Sequence, residues 1–318
     1  MRKRVEEGRN ESFPFVNLMK NSGFHAVFGD EENKDVVIGV LNMMLPPHRH
    51  VTDITYLKTE HHGKLQKNKE YRYDFMCSDQ SGARYIVELQ CYPEKFWFRR
   101  CVSYCCRAYD RGSKRGKESN GGTGYNIPPV YLIGFMGTKV NHPDEDEWKD
   151  RFISEYTFRE KTSHDLQDET ITIIFAEMVR FNKSAEECTT AQEKLLYLIK
   201  NIGKLNDDPN WDSDAFWQRF VGACEIAGFN ENKRIEYEMA INDERQKIGQ
   251  FQAHWELGHD EGLKEGREEG LQEGVAKGRE EGRDEERINI ARNCKEMGMD
   301  AASIAKVTGL SETEIAGL

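Results

Sequence analysis

At 318 residues, with 37% apolar and 32% charged side chains, the chain is long enough for one substantial core plus appendages and holds an unusually polar segment. No stretch approaches the roughly 20 apolar residues that a bilayer span needs, which sets membrane-spanning roles aside. A net charge of −11 argues at first against a nucleic-acid partner, but the charge is unevenly spread, and its distribution brings such a partner back into consideration.

In chain order, the opening Met1-Arg2-Lys3-Arg4 is not followed by an apolar run and is not read as a signal peptide. Residues 24–45 predict a helix, because Val36, Val37, Val40, Leu41 and Met44 recur at helical spacing and Pro46-Pro47 stops it. Residues 51–57 predict a strand. Residues 71–77 and 84–90 predict a β-hairpin: the first run alternates large apolar and polar residues, the second is β-branched and aromatic, and Asp79-Gln80-Ser81-Gly82 supplies turn chemistry. Then come a helix over 94–109, a Gly/Ser/Lys loop over 111–124, a buried strand over 130–136 and a β-branched run over 170–177. Helical periodicity returns over 191–202 and 214–227. This alternation supports an α/β core.

The hairpin carries the chemistry. Side chains on a strand alternate faces, so Glu88 and Gln90 point the same way. With the turn near Gln80, Asp74 falls opposite Val87 or Glu88, with facing Cβ atoms about 5 Å apart. Two acids and an amide then share one patch, the kind of oxygen site that a hard divalent cation takes together with substrate phosphate. The alternative is a solvated edge with an acid on each strand. Phe75, Ile86, Val87 and Leu89 favour a largely buried pair instead, and buried ionised acids rarely lack a partner. The patch is a candidate metal-dependent phosphodiesterase site.

Charge distribution adds to this. Residues 95–117 hold eight bases against one acid, net +7, whereas residues 256–286 hold twelve acids against five bases, net −7. The bases therefore cluster just after the acid hairpin, where a phosphate backbone would lie, or else they form a solvated helix and a charged loop. Phe96, Trp97, Phe98, Tyr104 and Tyr109 interleave them, at a helical spacing that more often serves a core. The eight cysteines show no CxxC spacing and read as reduced, mostly buried thiols of a cytoplasmic protein; the spacing of Cys101 and Cys105 is too generic to argue for zinc.

The last third differs in kind. Glycines recur every four residues from Gly258 to Gly282, on a slowly drifting helical stripe. Each costs about 1 kcal/mol against alanine in a helix, so the segment is either a stalk whose glycines admit a close partner helix or a charged linker. Residues 288–318 predict three short helices, ending at Gly298, turning at Thr308-Gly309-Leu310 and reopening on the capping box Ser311-x-x-Glu314. The pattern is similar to a minimal helix-turn-helix, and its few bases favour packing or dimerisation over base reading.

Taken in order over roughly residues 20–255, the chain resembles the PD-(D/E)XK nuclease family transposases, or recombination-promoting nucleases (Rpn). The resemblance rests on Val27-Phe28-Gly29-Asp30-Glu31-Glu32-Asn33-Lys34, Tyr73-Asp74-Phe75, Val87-Glu88-Leu89-Gln90, Phe96-Trp97-Phe98-Arg99-Arg100, Gly124-Tyr125-Asn126-Ile127-Pro128-Pro129-Val130-Tyr131 and Thr172-Ile173-Ile174-Phe175-Ala176-Glu177-Met178. It implies a restriction-endonuclease-like α/β core with a helical C-terminal extension, in which Asp74 and Glu88 bind Mg²⁺, or Mn²⁺ in its place, and DNA is cut. By position Glu31 looks like the first-helix acid, and Gln90 stands where the wider superfamily has Lys. Neutral Gln90 brings no positive charge, so Arg99 or Arg100 is the candidate source of it, and Arg99, Arg100 and Arg107 are the candidate DNA contacts.

The expectation is therefore a Mg²⁺-dependent DNA endonuclease with a nuclease domain over 1–245, a Glu-Gly stalk or linker over 246–287 and a helical tail over 288–318. It is cytoplasmic and homo-oligomeric through the stalk. Two rivals are a degenerate member that binds nucleic acid or protein without cutting, and an oligomerisation protein whose stalk is the functional part.

Overall fold

In the computed structural model, which describes residues 14–58, 60–61, 71–112, 127–142, 147–207, 211 and 214–318, the β-branched runs assemble into one sheet with helices on both faces. The N-terminal Arg2-Lys3-Arg4, most of the 111–124 loop with Lys114, Arg115 and Lys117, and Gly124-Tyr125-Asn126 lie outside the described residues. Contacts divide the chain into two units, Met1–Glu244 and Arg245–Leu318.

The first unit begins with α1 (Asn21–Phe28), a 3-10 turn (Glu31–Asn33) and α2 (Lys34–Met44). Next come the short strands β1 (Thr55–Tyr56), β2 (Glu60–His61) and β3 (Tyr71–Arg72), then β4 (Phe75–Ser78) and β5 (Arg84–Gln90). Helix α3 (Trp97–Asp110) leads to β6 (Val130–Met136), β7 (Ile153–Arg159) and β8 (Leu166–Glu177), and α4 (Ala191–Asn201) and α5 (Ala215–Cys224) follow. The main sheet has the order β1-β4-β5-β6-β8-β7, while β2 and β3 pair separately. Strands β5, β6 and β8 run parallel, and the flanking pairs are antiparallel. All seven residues of β6 are buried, as expected of a central parallel strand covered on both faces.

Strand alternation sorts the core. Tyr85, Val87 and Leu89 of β5 face the larger cluster with residues of α1, α2, α4 and α5. Ile86 faces a smaller cluster with Trp97, Cys101, Tyr104 and Cys105 of α3. Glu88 and Gln90 share the parity of Ile86, so both belong to the α3 side.

Three expectations need correction. The helix predicted over 24–45 is broken at Gly29-Asp30, because the Asp30 carboxylate caps the Glu32 N–H and starts a new turn. The strand predicted over 51–57 joins the neighbouring strand only from Thr55 onward: the Asn42 side chain takes both the N–H and the C=O of Val51, so that backbone needs no ladder. The first hairpin strand also divides. Tyr71–Arg72 pairs with Glu60–His61, and the main ladder starts at Phe75. Strand β7, with its half-exposed and irregular pattern, has no clear signal in the sequence.

Helix α6 (Glu231–Glu296) crosses the division between the units. Within the second unit the glycine repeat is helical, and a Cβ built on any glycine from Gly258 to Gly282 would meet nothing within 4 Å. The tail continues with α7 (Ala301–Thr308) and α8 (Glu312–Ala316), packed on Ala291, Cys294, Ile304 and Ile315. Gly298 and Gly309 take positive φ values of 83° and 72°, and the Ser311/Glu314 capping box is formed. No helix of the described residues is long and apolar enough to cross a membrane.

Candidate active site

The register Phe75↔Val87 sets Asp74 against Glu88 at the end of the β4/β5 ladder. Here the backbone bonds to side chains instead of to the opposite strand. The Asp74 N–H donates to Glu88 Oε1 at 3.1 Å, and the Leu89 N–H donates to Asp74 Oδ2 at 2.9 Å. Each carboxylate is thus latched by an amide of the other strand. Glu88 is only 3% exposed. Burial first, and the Asp74 charge second, push its carboxyl well above the usual range, against the weaker pull of the Asp74 amide and Arg100. The pair favours any cation that reaches it.

Asp74 opens onto a depression of about 350 Å³ that His25, Tyr56, Tyr73 and Phe75 also line. His25, on α1, brings Nε2 to 3.7 Å from Asp74 Oδ1. Sequence reasoning missed this residue, whose only signal is its place one turn before Gly29. Glu31 is exposed and lies in a neighbouring depression with Asp30, Glu32 and Lys233, which shares His25 and Gly29 with the first. The structure joins Asp74 to Glu88, sets Gln90 two residues further along the same face of β5, and leaves Glu31 to one side.

The amide of Gln90 is engaged from both ends: its Nε2 donates to Tyr92 O at 2.5 Å, and its Oε1 accepts from Arg100 Nη2 at 3.0 Å. Arg100 is also paired with Glu94, and its guanidinium lies 4.3 Å over the Trp97 ring. A fixed positive charge therefore sits on Gln90, which sequence spacing alone did not place. Arg99 and Arg107 are exposed on α3, and Arg99 lies over Phe96. Cys101 and Cys105 are buried in the α3 cluster, where burial raises both thiols.

Among the described residues no group of three His, Cys, Asp or Glu side chains is arranged to hold a metal. Two carboxylates are nevertheless what Mg²⁺ ordinarily takes from a protein, since it keeps several waters and adds substrate phosphate oxygens. Buried Glu88 beside half-buried Asp74 fits such an ion, whose charge would offset the cost of ionising Glu88. An oxygen patch of this kind, beside a fixed guanidinium, has the groups needed to bind a phosphodiester and direct water at it.

Comparison with known families gives two matches. Residues 19–250 match the family described as PD-(D/E)XK nuclease family transposase, and residues 284–318 match the C-terminal HTH domain of the Rpn/YhgA-like nuclease family. No curated protein and no solved structure matches the chain.

Proposed function

Because the chain belongs to the PD-(D/E)XK nuclease family transposases, we propose that it is a Mg²⁺-dependent DNA endonuclease that hydrolyses phosphodiester bonds at Asp74 and Glu88. The observation that carries this reading is the cross-latched acid pair, with Glu88 buried and its carboxyl raised by burial and by the Asp74 charge. When bound, Mg²⁺ or Mn²⁺ supplies an acidified water and neutralises charge on the phosphate. Asp74 and Glu88 would hold that ion, each carboxylate oriented by an amide of the other strand. Gln90 positions the attacking water, and Arg100, clamped by Glu94 and Gln90, offsets negative charge as the phosphorane-like state forms. Glu31 contributes through water from the neighbouring depression. Arg99 and Arg107 grip the DNA backbone.

The same proposal assigns cutting to residues 1–245, joining of copies to the 246–287 stalk, and a cytoplasmic site of action that suits eight free cysteines. The HTH match points to DNA for the tail as well. Two of its bases are already engaged, however. Arg287 donates to Thr308 O, and Lys295 donates to Ile315 O, each capping the end of a tail helix. We therefore assign the tail to assembly on DNA more than to base reading.

Plasmid nicking tests the core of this reading. The full chain with Mg²⁺ should nick, EDTA should stop it, and Asp74→Asn should abolish it with the melting temperature retained. Nicking that survives EDTA or Asp74→Asn refutes the metal mechanism.

A further inference from the structure

A cleft of about 700 Å³ is lined in part by Gln90 and shares no lining residue with Asp74's depression. Its walls are aromatic: Trp97, Phe98, Tyr156 and Phe175 line it. Phe98 is 41% exposed on the first turn of α3. It packs edge-on against Tyr156, at 5.0 Å between centroids and 72° between planes, and stands 6.1 Å from Phe175. Glu94, Lys95, Thr138, Lys139 and Asn141 line the cleft as well.

The far wall is held rigidly. Glu177 at the end of β8 is fully buried, accepts the Val140 N–H at 2.8 Å and the Arg180 Nε–H at 2.9 Å, and lies 2.6 Å from His142 Nε2. His142 in turn stacks on Trp148 at 3.5 Å. Buried carboxylates are costly unless fully partnered, and this one is spent on fixing the segment that borders the cleft. The cleft's volume and its mixture of aromatic rings with a few polar groups are those of ligand-binding clefts.

We infer that this cleft receives one unstacked nucleobase of the DNA, from the nucleotide next to the phosphate held at Asp74 and Glu88. A base offers a flat π-face to Phe98 and Tyr156 and a hydrogen-bonding edge to Asn141 and Thr138, while the lysines meet its phosphate. Gln90 lines the cleft and lies on the same face of β5 as Glu88, which places the cleft beside the acid that would hold the metal. A base inside a duplex cannot reach such a pocket, so the preferred substrate is single-stranded or locally unpaired DNA. The inference rests on the nuclease reading for the class of ligand, and is tested apart from it.

The probe is a single-stranded oligonucleotide carrying one 2-aminopurine, titrated with the full chain in EDTA so that nothing is cut. Stacking should quench its fluorescence saturably. Phe98→Ala should weaken binding about 5- to 150-fold, the range that corresponds to loss of one base–aromatic stack. Phe98→Trp should restore it, which separates a stacking role from a folding defect. Equal affinity for Phe98→Ala and the unaltered chain, or equal quenching in a fully paired duplex, overturns the inference. Nicking with Mg²⁺ is scored in parallel. Quenching without nicking upholds the cleft and refutes the nuclease reading, whereas nicking without quenching refutes the cleft alone.

Discussion

Replacing Glu88 by Gln removes one charge from a buried site while keeping an acceptor for the Asp74 N–H. Burial and the Asp74 charge raise the Glu88 carboxyl, so the folded chain holds that proton more tightly than the unfolded chain does. Glu88's contribution to the stability of the metal-free protein is then fully present below the ordinary carboxylate range, is lost as pH rises through the window, and levels off above the raised value. Inside the window the slope is about 1.4 kcal/mol per pH unit. At about 2–4 °C per kcal/mol for a unit of this size, that is about 3–6 °C of melting temperature per pH unit. Glu88→Gln lacks this slope and should melt higher than the unaltered chain at pH 8 without metal. Mg²⁺ reverses the order: at a hundredfold its Kd it adds about 2.7 kcal/mol, or about 5–11 °C, to the unaltered chain. The variant, with one carboxylate of the pair left, should shift little at the same concentration. Thermal melts from pH 5 to pH 8.5, with and without Mg²⁺, read all of this. Parallel pH curves for the two proteins, or an equal Mg²⁺ shift, would refute the account of Glu88 as a cation-starved ligand.

Gln90→Lys would set an ammonium against the Arg100 guanidinium, so nicking should fall about tenfold or more, with part of it restored by adding Arg100→Gln; undiminished nicking in the single variant would show that the neutral amide is dispensable. Charge reversal of Arg99 and Arg107 should weaken DNA binding across all sequences and lower the slope of log affinity against log salt by about 0.9 per lost phosphate contact, with fluorescence anisotropy as the measure; an unchanged slope moves the contact elsewhere. Along the stalk, Gly266→Ala and Gly270→Ala should each gain about 1 kcal/mol of helix stability in a lone chain, since the added methyl meets nothing. If copies pack along the glycines, Gly266→Leu should instead lower the mass seen by light scattering, and a chain ending near Gln250 should be monomeric; unchanged mass in both ends the stalk's assembly role.

What the sequence by itself determined is the local periodic part. Period-two alternation and the Asp79–Gly82 turn placed Glu88 and Gln90 on one face and Asp74 across from them, because register follows from turn position and one buried face. Caps and glycines likewise set the tail helices at Gly298, Gly309 and Ser311, where the signal lies within four residues. Only the tertiary structure decided which partners those side chains take. It brought His25 from α1 to Asp74 and set the Arg100 guanidinium on Gln90. It also buried Glu177 beneath His142 and Arg180, and added β7 at the sheet edge. These choices join residues far apart in the chain, and depend on packing and on the cost of leaving a buried polar group unmatched, which no short window of sequence contains.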